Sequence, residues 1–232
     1  MAIILSTRGL TKQYGATTAL NSIDLDLPAG SVIGLLGPNG SGKSTFIKIA
    51  AGLLTSTSGE LLIDGYKPGV KTKEIVSYLP DHDYLNDWMS VNQLVKQFED
   101  FYADFDKDKA FDMIQRLDIK RESMLKTLSK GTREKVQLIL TMSRKAKLYL
   151  LDEPIGGVDP ASRDYILKTI LNNYSEHASV LISTHLISDI ERVLDDVIFL
   201  NKGCVTRFSP ADELRDEYNM SVDALFREEF KC

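Results

Sequence analysis

The sequence predicts an α/β fold: a mostly parallel sheet, an N-terminal antiparallel β part and an inserted helical segment. Three observations carry that expectation. Short apolar strands alternate with helical stretches early and late in the chain, the pattern of a parallel sheet covered on both faces. A glycine-rich loop stands between a buried strand and a helix. The middle of the chain switches to helical periodicity and gathers aromatic residues.

Taken in order, Ile23, Leu25 and Leu27 alternate with Asp24 and Asp26, the period of a strand with one wet face. Val32–Leu36 is apolar on both sides, as a buried parallel strand is. A helix is expected over about 43–51. Residues 60–63 form a strand ending at Asp64-Gly65, a hairpin signal. Residues 75–79 form another. Between about 82 and 126, Val91, Leu94, Val95 and Phe98 fall at i, i+3, i+4, i+7, and Ala110, Phe111, Ile114 and Leu117 repeat the helical pattern. Residues 148–151 read as a buried strand, and Asp159-Pro160 as an N-cap followed by proline at N1. Strands follow at 180–183 and 197–200. Asn201-Lys202-Gly203 turns into a strand over 205–208, and Ser209-Pro210 opens a C-terminal helix. The expected organisation is one domain over 1–232, with its core at 1–81 and 128–232 and a helical subdomain at about 82–127.

The 232 residues, 43% of them hydrophobic, suffice for a sizeable core. Lys and Arg number 28 and Asp and Glu 33, giving 28 − 33 = −5. That acidic balance argues against general nucleic-acid binding. No apolar run approaches the ~18 residues of a bilayer span, and the N-terminus lacks a basic segment followed by an apolar one. Cys204 and Cys232 form no CxxC pair, so neither a disulfide framework nor a cysteine zinc site is expected. A soluble, cytoplasmic chain is the expectation.

Gly37-Pro38-Asn39-Gly40-Ser41-Gly42-Lys43-Ser44 fits G-x-x-x-x-G-K-[ST]. A polyphosphate packs several negative charges into a small volume. Closely spaced backbone N–H groups surround it only where no Cβ intervenes, hence the glycines. The helix N-terminus that follows adds its positive dipole end. Lys43 supplies a mobile cation, the Ser44 hydroxyl suits Mg²⁺, and Asn39, Gly40, Ser41, Gly42 and Thr45 complete the loop. The expected core is therefore that of a P-loop NTPase, RecA-like, with ATP and Mg²⁺ as ligands.

Further segments resemble the ATPase subunit of an ATP-binding cassette (ABC) transporter, and the resemblance runs from Tyr14 to about Phe208. In Leu148-Tyr149-Leu150-Leu151-Asp152-Glu153-Pro154 it implies that Asp152 holds Mg²⁺ through water and that Glu153 is the general base. Leu128-Ser129-Lys130-Gly131-Thr132 resembles the family's signature, usually Leu-Ser-Gly-Gly-Gln. Ser129 and Gly131 would then meet the γ-phosphate of ATP held by the opposite subunit. His185 matches the switch histidine, which contacts the γ-phosphate and orders the attacking water. Gly156-Gly157-Val158-Asp159-Pro160 resembles the D-loop, and Tyr14 the aromatic residue that stacks on adenine. Asp81 stands where the family commonly has glutamine; its carboxylate can also offer oxygen to Mg²⁺.

The resemblance implies a head-to-tail pair of ATPase subunits, homo- or heterodimeric, and a separate membrane permease. It places the chain at the cytoplasmic face of the membrane, with no nucleic acid as partner. Tyr84 and Trp88 are the candidate permease contacts. The compact form resembles bacterial exporters of antibiotics or of antimicrobial and amphipathic peptides, including phenol-soluble-modulin exporters. The chain ends about 20 residues after its last strand. On that basis it is expected to lack the C-terminal regulatory domain of many sugar importers. The alternatives are an importer ATPase and a weakly catalytic cassette that binds ATP as a scaffold; Asp81 and Lys130 favour the scaffold, Glu153 and His185 oppose it.

Overall fold

The computed structural model describes residues 2–175 and 177–230, so Cys232 lies outside the described residues. Two long strands open the fold, β1 (Ile3–Tyr14) and β2 (Thr17–Pro28). With β4 (Ser58–Ile63) they form an antiparallel sheet ordered β2-β1-β4. The remaining strands are β3 (Val32–Leu36), β5 (Val76–Leu79), β6 (Leu148–Asp152), β7 (Ser179–Thr184), β8 (Asp196–Asn201) and β9 (Cys204–Pro210). They form a second sheet ordered β5-β6-β7-β3-β8-β9, parallel except for β9, which turns back antiparallel on β8 at the edge.

Both faces of this second sheet are buried, and its strands alternate between two cores. Leu35, Leu148, Leu150, Leu181 and Ile198 face a cluster shared with the antiparallel sheet and α1 (Lys43–Ala50). Leu36, Leu151, Val180, Ile182 and Phe199 face a cluster with residues of α5 (Lys130–Met142), α6 (Pro160–Asn173), α8 (Ala211–Tyr218) and α9 (Val222–Phe230). The short helices α2 (Val70–Ile75) and α7 (Ile187–Ile190) border the sheet. A third cluster joins α3 (Val91–Phe101), α4 (Lys107–Arg116), Leu125 and one face of α5 through Val136, Ile139 and Leu140.

Several local expectations need correction. Ile75 ends a helix; the strand begins at Val76. Phe111 is only partly buried, under the Arg121 guanidinium at 3.9 Å, and Met113 takes the inward place on α4. Asp64-Gly65 does turn the chain, but its hairpin is a single bridge, Ile63 to Tyr66; the full ladder of β4 is made with β1.

The topology sets the site. β7 lies between β6 and β3, and all three run the same way. The residues leaving their C-terminal ends therefore meet at one edge, where ligands of open α/β sheets bind.

Candidate active site: a phosphate cradle with a paired carboxylate

From β3 the chain enters the glycine loop, and backbone crowding explains two of its glycines. Gly42 has φ 112 and caps α1; a Cβ there would sit 2.5 Å from the Ala19 carbonyl. A Cβ on Gly37 would overlap the Leu200 carbonyl and the Ser41 hydroxyl. Gly203 N–H donates to the Ser41 carbonyl at 2.8 Å, fixing the loop from the β8–β9 turn. The loop and the start of α1 wall a cavity of about 460 Å³. Asn39, Gly40, Ser41, Gly42, Lys43, Ser44 and Thr45 line it, and so do Asp81, Glu153 and His185. The first N–H groups of a helix have no intrahelical acceptor, so this wall is rich in donors for an anion.

Lys43 is buried, and its ammonium donates to the Gly37 carbonyl at 2.7 Å and the Pro38 carbonyl at 3.3 Å. It also stands 3.5 Å from Glu153 Oε1. Burial lowers its pKa, and the Glu153 charge opposes that shift.

Asp152 ends β6 and is fully buried. Its Oδ1 accepts from Ser44 Oγ at 3.0 Å and from Ser183 Oγ at 2.6 Å. Among the described residues its Oδ2 has no hydrogen-bond partner. Burial pushes this carboxyl up, the two hydroxyl donors pull it down, and Asp81 adds repulsion. A buried carboxylate oxygen without a partner is costly. With the Ser44 hydroxyl beside it, it fits a hard, oxygen-seeking cation, so these residues are suited to Mg²⁺.

Glu153 follows with φ 49, a left-handed conformation rare for a non-glycine residue. Its N–H is tied to β7, to the Ser183 carbonyl at 3.1 Å and the Ser183 hydroxyl at 3.0 Å. The turn aims the carboxylate over the cavity, with Oε2 3.0 Å from His185 Nδ1. Asp81 meets its neighbour instead, its Oδ1 2.7 Å from His82 Nδ1.

Lys43, Ser44, Asp81, Asp152, Glu153 and His185 are thus brought together. Ser129, Gly131 and Tyr14 are not among the residues lining this cavity. Ser129 is exposed and caps α5, its Oγ accepting from Thr132 N–H at 3.2 Å. Tyr14 is half exposed at the end of β1, with the Lys12 ammonium 5.1 Å from its ring. Ser183 was not singled out by any motif, although it holds both Asp152 and Glu153. Its sequence signal is a hydroxyl that follows the apolar run Val180–Ile182, two residues before His185.

A P-loop, a carboxylate pair at the end of a parallel strand and a histidine just past the neighbouring strand define a nucleotide-hydrolase site of the P-loop class. Residues 20–156 match the family model described as ABC transporter, and the chain belongs to that family, whose ATP-binding cassettes hydrolyse ATP to power transport. It is 31% identical over 218 residues to the ABC transporter ATP-binding protein YtrB of Bacillus subtilis, covering 93% of this chain and 75% of that one. It is 25% identical over 224 residues to the lantibiotic transport ATP-binding protein SrtF of Streptococcus pyogenes, covering 94% and 97%. A solved ATP-binding subunit of an ABC transporter superimposes with a TM-score of 0.86 at 26% identity, covering 97% of this chain and 98% of the other.

Proposed function

We propose that this chain is the ATP-hydrolysing subunit of an exporter of antimicrobial or amphipathic peptides or drugs. It works as a head-to-tail pair at the cytoplasmic face of a separate membrane permease. The observation that carries the hydrolytic part is the convergence of Lys43, Glu153 and His185 on one cavity.

On this reading ATP replaces Glu153 and the loop carbonyls as the partner of Lys43, with its β- and γ-phosphates in the cradle. Release from Lys43 leaves Glu153 to His185 and to a water placed for in-line attack on the γ-phosphate. Glu153 takes the proton of that water, and His185 fixes the carboxylate and reaches the phosphate. Mg²⁺, when held by Ser44 and Asp152, would neutralise charge on the β- and γ-phosphates; Asp81, on the same cavity, is a further candidate oxygen donor. Because Ser129 is exposed and away from its own chain's cavity, its use on the partner's γ-phosphate is supported, with Gly131 and the α5 dipole beside it. Tyr14 remains the candidate for adenine stacking; its exposed ring permits that role.

Permease docking is supported by a groove of about 420 Å³ between the core and the helical segment. Tyr78, Tyr84, Phe98 and Tyr102 line it with Lys48 and Lys73, and among the described residues no carboxylate lines it in a chain of net charge −5. Trp88 and Phe101 are exposed nearby on the same segment. Export of a peptide rests on the likeness to a lantibiotic transport protein. Among the described residues no helix is long and apolar enough to cross a membrane.

Steady-state phosphate release by the chain reconstituted with its permease tests the proposal. Turnover stimulated by an amphipathic peptide supports it. ATP binding without turnover leaves only a scaffold role.

A further inference from the structure

Gln137 sits at the middle of α5 and is 4% exposed. A buried amide is costly unless its donor and acceptor are both used. Here both are used, and both point to one short segment. Its Oε1 accepts from the Tyr84 N–H at 3.0 Å, and its Nε2 donates to Asp83 Oδ1 at 3.2 Å. Arg133, one turn earlier on the same helix, stands 3.4 Å from Asp83 Oδ2. The segment held in this way begins at Asp81, which lines the ATP cavity. The helix that holds it is capped by Ser129, about 12 Å from Gln137 at the rise of an α-helix.

Asp81, Asp83, Gln137 and Glu153 also line one further cavity, of about 270 Å³. A rigid helix is therefore pinned near its middle to a loop that touches the nucleotide cavity. A displacement of residues 81–84 must either break two partly buried hydrogen bonds or carry α5, and with it Ser129, along.

We infer that Gln137 is a positioning residue for ATP hydrolysis: through Asp83 and Tyr84 it ties the placement of Ser129 to that of Asp81. The inference rests on the proposed use of Ser129 across a pair of chains. Gln137 touches no reacting group, so removing its amide leaves ATP binding intact and lowers turnover. Carboxylate and amide can also be exchanged. Gln137→Glu places a second carboxylate against Asp83, and adding Asp83→Asn restores one donor and one acceptor across the contact.

The test uses the full-length chain, with steady-state phosphate release, affinity for a fluorescent ATP analogue and thermal melting measured for each variant. Gln137→Leu is expected to lower kcat about tenfold, within the range for coupling residues. Its KM and its analogue affinity stay at wild-type values. Gln137→Glu is expected to lose turnover similarly, and the double variant with Asp83→Asn to recover most of it. A packing role alone would lower the melting temperature without that recovery. Wild-type kcat in Gln137→Leu, or a double variant no better than Gln137→Glu, overturns the inference while leaving the ATPase reading intact. Absence of turnover in the wild-type chain overturns both.

Discussion

Glu153 Oε2 lies 3.0 Å from His185 Nδ1, although 32 residues separate them. Two features of the sheet close that gap. β6 and β7 are parallel neighbours, with Asp152 opposite Ser183, so Glu153 and His185 leave adjacent strands at the same edge. The positive φ of Glu153, held by Ser183, then turns its side chain toward the histidine.

That pair makes His185 a test of positioning. His185→Ala is expected to retain ATP binding, since the glycine loop and Lys43 are untouched, and to lose about 10²-fold in turnover, the scale of a lost acid–base or electrostatic group. Phosphate release and equilibrium binding, measured on the same preparation, check the separation.

Ser129 combines two roles that stability and turnover measurements distinguish. As the N-cap of α5 its loss costs about 1 kcal/mol of stability. On the proposed reading it also meets the partner's γ-phosphate, so Ser129→Ala lowers turnover about tenfold through the lost hydrogen bond, and Ser129→Asp, which keeps the cap but sets a carboxylate against the phosphate, lowers it further. The expected order of kcat is wild type, then Ser129→Ala, then Ser129→Asp, whereas the order of melting temperature places Ser129→Asp above Ser129→Ala.

Trp88 is 59% exposed, more than a tryptophan held for packing alone. Trp88→Ala is expected to change stability by no more than about 0.5 kcal/mol. The same variant is expected to abolish co-purification with the permease in detergent. Retained co-purification would move the contact elsewhere on the helical segment.

Asp106 caps α4, accepting from the Lys109 N–H at 3.0 Å, and that bond holds its carboxyl below the ordinary value. The charge therefore contributes stability above the unfolded carboxylate pKa of about 4 and loses it as pH falls through the lower folded value. Asp106→Asn keeps a cap without the charge. Urea titrations are expected to show wild type ahead of this variant at about pH 6 and the gap narrowing below about pH 4.

Much of this site is legible in the sequence because its parts are local. The glycine loop spans contiguous residues, and two of its glycines answer a nearby steric demand, such as the Ala19 carbonyl against Gly42. The strands 148–151 and 180–183 announce themselves because both of their faces are buried. β1 is less legible: four register irregularities against β2 break the alternation that marks a strand. α2, six residues long, is too short to show a period. Contacts between distant segments leave the weakest trace. Ser183 under Asp152 and Gln137 against Asp83 become visible only once the sheet and α5 are assembled.

Glu153→Gln tests the central claim most directly, because it removes the proposed base while keeping the shape of the side chain and one acceptor oxygen. Phosphate release is expected to fall about 10²–10⁴-fold. ATP stays bound, and an ATP-dependent pair of chains accumulates in size-exclusion chromatography. Phosphate release at the wild-type rate in this variant would contradict the account.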